Sequence, residues 1–227
     1  MTADFLWGER AQRTRGPKPA MSIEQIADAA IAIADAEGLA AVSMQRVAAD
    51  LGFTKMSLYR YLPGKAELVA VMLERGLGEP PVLAAGEWRA ALTQWCRLLL
   101  AVYVRHPWAQ LATLGPRPIG PHELGWMDRA LAVLPEGLTG AERLDAIAVL
   151  ALHARNLAAQ ESSRHREADL AREIGAVLAR HADRFPAVAA AMADAAGRGG
   201  QDQAFDFGVA RILDGLEVYL SGRSSRG

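Results

Sequence analysis

The 227-residue chain holds one cysteine, Cys96, so it cannot close an internal disulfide, and a small secreted scaffold held by disulfides is excluded. It has no apolar run near the roughly 18 residues that a membrane span needs; Leu98 to Val104 and Ala146 to Leu152 are short and flanked by charge or histidine. The opening MTADFLWGERAQRTRGPKP has neither an apolar core nor a small-residue cleavage site, so the expectation is a protein of the reducing cytoplasm. Catalytic signatures are also missing. HExxH, CxxC, GxSxG and a glycine-rich phosphate loop do not occur, and the five histidines are scattered without metal-ligand spacing. Acids such as Glu136 and Glu142 fall at helix starts, where capping accounts for them. No catalytic residue, metal or cofactor is expected, and an enzyme is excluded.

An excess of charge of either sign is nearly absent, with 25 basic against 26 acidic residues and a net of −1, but the charge is unevenly placed. Arg10, Arg13, Arg15 and Lys18 lie in a stretch without an acid, and residues 40–66 carry Arg46, Lys55, Arg60 and Lys65 against Asp50 alone. The N-terminal end is therefore the surface suited to a polyanion. With 51% hydrophobic and 22% charged residues the chain is globular in composition. Alanine supplies about a fifth of it, and β-branched clusters of period two are scarce, so the expected fold is all-α.

Residues 1–21, with Gly16, Pro17 and Pro19, read as a basic, flexible arm. It is either a DNA-contacting extension or a solubilising terminus. Ser22 with Gln25 forms a capping box for a first helix that Gly38 ends. Ser43 caps a second helix, Met44 to Leu51, and Gly52 supplies the left-handed residue for a sharp reversal. Thr54 caps a third helix, Lys55 to Tyr61; Pro63-Gly64 closes it, and a fourth begins at Lys65. Two short helices about a glycine turn form a helix-turn-helix, whose second helix enters the major groove. A helix of two turns presents mainly its first residues, here Lys55, Met56 and Ser57, with Tyr59 and Arg60 one turn on. The Thr54 and Ser57 hydroxyls, Tyr61 and Lys65 are left to hold phosphates.

The run Ile26 to Glu74 resembles the DNA-binding domain of the TetR family of transcriptional repressors. The resemblance rests on Glu37-Gly38-Leu39, Ser43, Val47-Ala48, Leu51-Gly52, the Ser57-Leu58-Tyr59-Arg60-Tyr61 core and Lys65. It implies operator contacts from Ser43, Gln45 and Arg46 as well as from Lys55, Met56, Ser57, Tyr59, Arg60 and Tyr61, with Lys65 as a phosphate clamp. Met56, Tyr61 and Leu62 depart from the family's usual residues, so base preference does not carry over. The later chain, including Gly78-Glu79-Pro80-Pro81, Arg105-His106-Pro107-Trp108 and Gly115 to Pro121, looks like the family's tetracycline-repressor-like effector and dimerisation domain. A homodimer on a palindromic operator, released by a small molecule, is what this likeness implies.

The remaining helices are expected at Trp88 to His106, just after Pro107, His122 to Leu134, Thr139 to about Gln160, and near 166–181, 186–196 and 203–221, about ten in all. The division expected is an arm over 1–21, a helix-turn-helix domain over 22–75, and an effector and dimerisation domain over 76–227. In the last helix Phe205, Val209, Ile212, Leu213, Leu216 and Leu220 form one stripe beside the small residues Ala204, Gly208 and Gly215. The stripe faces either its own core or a second subunit in a four-helix interface. Trp95, Tyr103, Trp108, Trp126 and Met127 either line an apolar ligand cavity or fill core. His153, Asn156 and Gln160 share a face of an otherwise apolar helix and meet either a ligand or a partner subunit. The competing class is an architectural DNA-binding protein that does not switch.

Overall fold

The computed structural model describes residues 5–8, 21–84, 86–161, 164–198 and 203–224. Among them eleven α-helices and no strands occur. The first four are α1 (Ile23–Glu37), α2 (Met44–Asp50), α3 (Lys55–Tyr59) and α4 (Lys65–Leu77). In α1 the box forms as the spacing requires: the Ser22 hydroxyl accepts from the Gln25 amide while the Gln25 side chain accepts from the Ser22 amide. Its apolar face, Ile26, Ala27, Ala30, Ile33 and Ala34, is buried. Ser43 and Thr54 cap α2 and α3 by accepting from the amides of Arg46 and Ser57. Between them Gly52 sits at φ +74°, where a Cβ would be strained. The third helix is shorter than expected, ending at Tyr59, with Arg60 and Tyr61 in the turn that follows. Leu58 and Leu62 are fully buried beneath that turn and anchor it in the core.

The larger part comprises α5 (Trp88–Arg105), α6 (Trp108–Ala112), α7 (Pro121–Val133), α8 (Gly140–Glu161), α9 (Arg164–His181), α10 (Pro186–Arg198) and α11 (Ala204–Ser224). The Thr139–Glu142 capping box opens α8. Helices α5, α7, α8 and α11 pack together, and a single apolar core runs from Ile26 in α1 to Leu213 in α11. Each fully buried residue of the size of Leu92, Met72 or Leu150 contributes about 1.5–3 kcal/mol through its removal from water. The hairpin α9–α10 touches this body mainly through α8.

The structure decides between the two readings of the α11 stripe and corrects one expectation about the arm. The stripe on α11 faces its own chain: Val209 and Leu213 are buried, with Phe205, Ile212 and Leu216 packed beside them. Ion pairs from Arg89 of α5 to Asp214 and Glu217 hold that orientation. Nor is the arm free throughout, because Phe5 and Leu6 pack on the core and the Trp7 indole donates to the Ile119 carbonyl at 3.3 Å. Arg10, Arg13, Arg15 and Lys18 lie outside the described residues.

Candidate nucleic-acid interface and ligand cavity

One face of the reading unit gathers most of the predicted contacts. Met56 is 72% exposed and Tyr59 38%, although both are apolar in bulk and neighbour the fully buried Leu58. The Lys55 ammonium sits 5.5 Å from the centre of the Tyr59 ring, which braces both side chains. Thr54 and Ser57 share a 3.0 Å hydroxyl contact at the start of α3. Gln45 and Arg60 are exposed, and Tyr61 is half-buried against the core. Lys65, at the first turn of α4, reaches the Leu39 carbonyl at 3.5 Å. Two predicted contacts carry structural duties as well. The Ser43 hydroxyl is occupied as the cap of α2, and the Arg46 guanidinium pairs with Glu37 at 2.7 Å while half exposed. An exposed pair of this kind is worth about 0–1 kcal/mol, so a phosphate can displace Glu37 from Arg46 at little cost.

Behind this unit lies a cavity of about 390 Å³. Its walls are Leu73, Gly76 and Leu77 of α4, Trp95, Leu99, Val102 and Tyr103 of α5, Trp108 and Ala109 of α6, and Thr113 just beyond α6. Glu123, Trp126 and Met127 of α7 and Leu144, Asp145, Ile147, Ala148 and Ala151 of α8 complete them. Of the expected ligand residues, the structure brings Trp95, Tyr103, Trp108 and Trp126 to this one space, as well as Met127. Burial raises the Tyr103 pKa and keeps it a neutral phenol. Burial likewise pushes the Cys96 thiol up to about 12, so it remains protonated.

His153 is a correction. It neither lines the cavity nor projects outward; Nε2 lies 3.1 Å from the Phe205 carbonyl, and the ring stacks on that of Phe205 in the same chain. The reason is a close crossing of α8 and α11, where a Cβ on Gly208 would sit 2.2 Å from the imidazole. Asn156 is exposed and away from the cavity wall, and the Gln160 side chain lies outside the described residues.

Sequence reading missed the groups that join the two parts. Glu74 of α4 is buried, and its carboxylate accepts from the backbone amides of His122 and Glu123 at 2.7 and 2.9 Å. It thereby caps α7, whose own N-cap, Gly120, has no side chain. The other end of α7 is held by Arg143 of α8, which donates to the carbonyls of Leu131, Leu134 and Pro135. Asp35 of α1 accepts from the Trp108 indole at 2.7 Å and from His106 Nδ1 at 2.9 Å. A side-chain-less N-cap before α7 was the available signal for a distant capping carboxylate. Among the described residues no cluster of His, Cys, Asp or Glu could hold a metal ion, and no helix is long and apolar enough to cross a membrane.

A glycine-turned pair of short helices, followed by a helical domain around an apolar cavity, defines a one-component transcriptional regulator. Residues 26–72 match the model for bacterial regulatory proteins of the tetR family, and residues 80–220 match the tetracyclin repressor-like C-terminal domain. The chain belongs to the TetR family of regulators and is not an enzyme. It is 40% identical over 239 aligned residues to the HTH-type transcriptional repressor DrrR1 of Streptomyces coeruleorubidus, covering 98% of this chain and 87% of that one. The structure of ActR, a TetR family protein of Streptomyces coelicolor, in complex with (S)-DNPA superposes with a TM-score of 0.72. The two are 26% identical, with 89% of this chain and 100% of ActR covered. The complex of ActR with actinorhodin gives a TM-score of 0.74 at 25% identity, covering 88% and 97%.

Proposed function

We propose that the chain is a homodimeric repressor that sets Lys55 to Tyr61 of each subunit into successive major grooves of a palindromic operator and leaves it when a small molecule fills the cavity. The observation that carries this reading is the double use of α4. Its first residue, Lys65, belongs to the DNA face, and its last turns supply Leu73, Gly76 and Leu77 to the cavity wall. Thirteen residues at 1.5 Å each make a lever about 20 Å long between the two sites. Gln45, Arg46, Lys55, Met56, Tyr59 and Arg60 supply base and backbone contacts, while Ser43, Thr54, Ser57, Tyr61 and Lys65 fix the reader on the phosphates. The helix-turn-helix domain spans 22–75 and the effector domain 76–227, with the lever crossing the boundary.

That ActR forms complexes with (S)-DNPA and actinorhodin supports a ligand role for the cavity here. Exposed apolar side chains on α8 (Val149, Leu152) and α11 (Phe207, Val218) suit burial by the second subunit. The protein acts on DNA in the cytoplasm. A ligand releases operator only by binding the DNA-incompetent arrangement more tightly, and α7, held by Glu74 and Arg143, transmits that preference to α4.

Selection of bound duplexes from a random DNA pool at near-physiological salt tests the reading. It predicts an enriched palindrome with half-sites about one helical turn apart. Binding without sequence preference would instead assign the chain an architectural role. Replacing Arg10, Arg13, Arg15 and Lys18 by glutamine, which leaves Phe5 and Leu6 on the core, is expected to weaken binding and flatten its salt dependence if the basic arm neutralises phosphates, and equal slopes would remove the arm from the interface.

A further inference from the structure

The cavity wall carries an unusual imbalance of polar groups. Every indole donor on it is already spent on the protein itself. Trp95 donates to the Trp126 carbonyl at 3.0 Å, Trp126 to the Gly78 carbonyl at 3.3 Å, and Trp108 to Asp35 at 2.7 Å. The three rings therefore offer the cavity carbon edges and π-faces. The Thr113 hydroxyl donates to the Gln110 carbonyl, and Arg117, behind the wall, is committed to Glu123 and the Ala112 carbonyl. The ionic groups on the wall itself are two carboxylates, Glu123 and Asp145, without a lysine, arginine or histidine among the described lining residues. Glu123 is neutralised by Arg117. Asp145 has no ion pair or hydrogen bond among the described residues and stands at the mouth beside the exposed Met127 and Leu144.

Besides the Tyr103 phenol, which lies against Thr113, an anionic or acceptor-rich ligand finds no free side-chain donor among the described lining residues. A flat aromatic body bearing a protonated amine finds what it needs: π-faces for its rings and its cation, and an unpaired carboxylate at the opening. We infer that the effector class is the lipophilic aromatic cation, its ring system among Trp95, Trp108 and Trp126 and its ammonium group on Asp145. This rests on the cavity being the effector site. Asp145 then sets specificity, because the apolar walls accept neutral and charged aromatics of similar shape alike.

Three probes of one shape separate these ideas: 9-(aminomethyl)anthracene, 9-anthracenemethanol and 9-anthracenecarboxylate, titrated into the full-length protein and followed by anthracene fluorescence anisotropy. The amine is expected to bind about fivefold tighter than the alcohol, with the carboxylate weakest. Asp145→Asn should lower amine affinity about fivefold and leave the alcohol within about twofold. Met127→Lys, at the same mouth and exposed, should reverse the order of amine and carboxylate. Equal or tighter binding of the alcohol or carboxylate by the parent protein, or an amine preference that survives Asp145→Asn, overturns the charge assignment while leaving the cavity as a binding site. Failure of all three probes to bind overturns both.

Discussion

The reading unit and the effector unit are held together by interactions of different range. In the first, each cap lies three residues from the amide that it serves: Ser22 with Gln25, Ser43 with Arg46, Thr54 with Ser57. In the second, α7 is capped by Glu74 from 48 residues away, Trp95 donates across 31 residues, and Trp108 reaches Asp35 across 73. Local interactions give a small, rigid reader whose shape is set by its own sequence. Long-range ones make the cavity and the reader depend on each other, as a switch requires.

The sharpest way to break the comparison is to disable the reader alone. Tyr59→Ala combined with Lys65→Ala is expected to reduce operator affinity about 100-fold or more, since each lost contact is repeated in two half-sites, while thermal unfolding and the dimer mass stay unchanged. Loss of the dimer or of folding would place these side chains in the core instead. Next in size is Glu74→Ala, which leaves the amides of His122 and Glu123 without their acceptor. It should cost about 1–3 kcal/mol in urea unfolding and weaken the response of operator binding to any cavity ligand. A variant as stable and as responsive as the parent would remove α7 from the coupling path.

Ser43→Ala removes a local cap and should cost about 1 kcal/mol, with ligand binding at the cavity untouched. If that substitution altered cavity affinity, the reader would not be locally determined. The smallest effect concerns acid. The Tyr219 hydroxyl, then Thr139 and Arg223, holds the Glu142 pKa at about 2, against an ordinary value of 4.5. A lowered carboxylate pKa stabilises the folded state above the ordinary value, so this contact between α8 and α11 is complete above pH 4.5 and fades as the pH falls toward about 2. In Tyr219→Phe the Glu142 titration, followed by NMR of the side-chain carboxyl, should move back toward 4.5; an unmoved midpoint would assign the shift to other groups.

The same contrast explains what was legible beforehand. The reader could be placed residue by residue because Ser22, Gly38, Ser43, Gly52 and Thr54 signal their turns within a few positions. Helices α5 to α11 could be placed from periodicity and breakers, and the faces of the aromatic residues were legible without deciding between cavity and core. What lay opposite those faces could not be read. His153 shares a stripe with Asn156, yet its partner is a carbonyl in α11, admitted by Gly208. The stripe on α11 was equally compatible with a partner subunit, until ion pairs from Arg89 fixed it inward. Glu74, Arg143 and Asp35 were ordinary charged residues on amphipathic helices until the fold brought helix ends and an indole to them.

The central claim is that α4 couples filling of the cavity to the spacing of the two readers. Spin labels at Met56→Cys in both subunits report that spacing directly, since the native Cys96 is buried and its thiol pKa of about 12 keeps it from competing. The separation should be measured in this background and again with Ala151→Trp added to fill the cavity. The account predicts a parent distribution matched to the roughly 34–36 Å between successive major grooves, displaced by several Å in the filled variant with a parallel loss of operator affinity. Unchanged spacing and affinity in a folded, filled variant would contradict it.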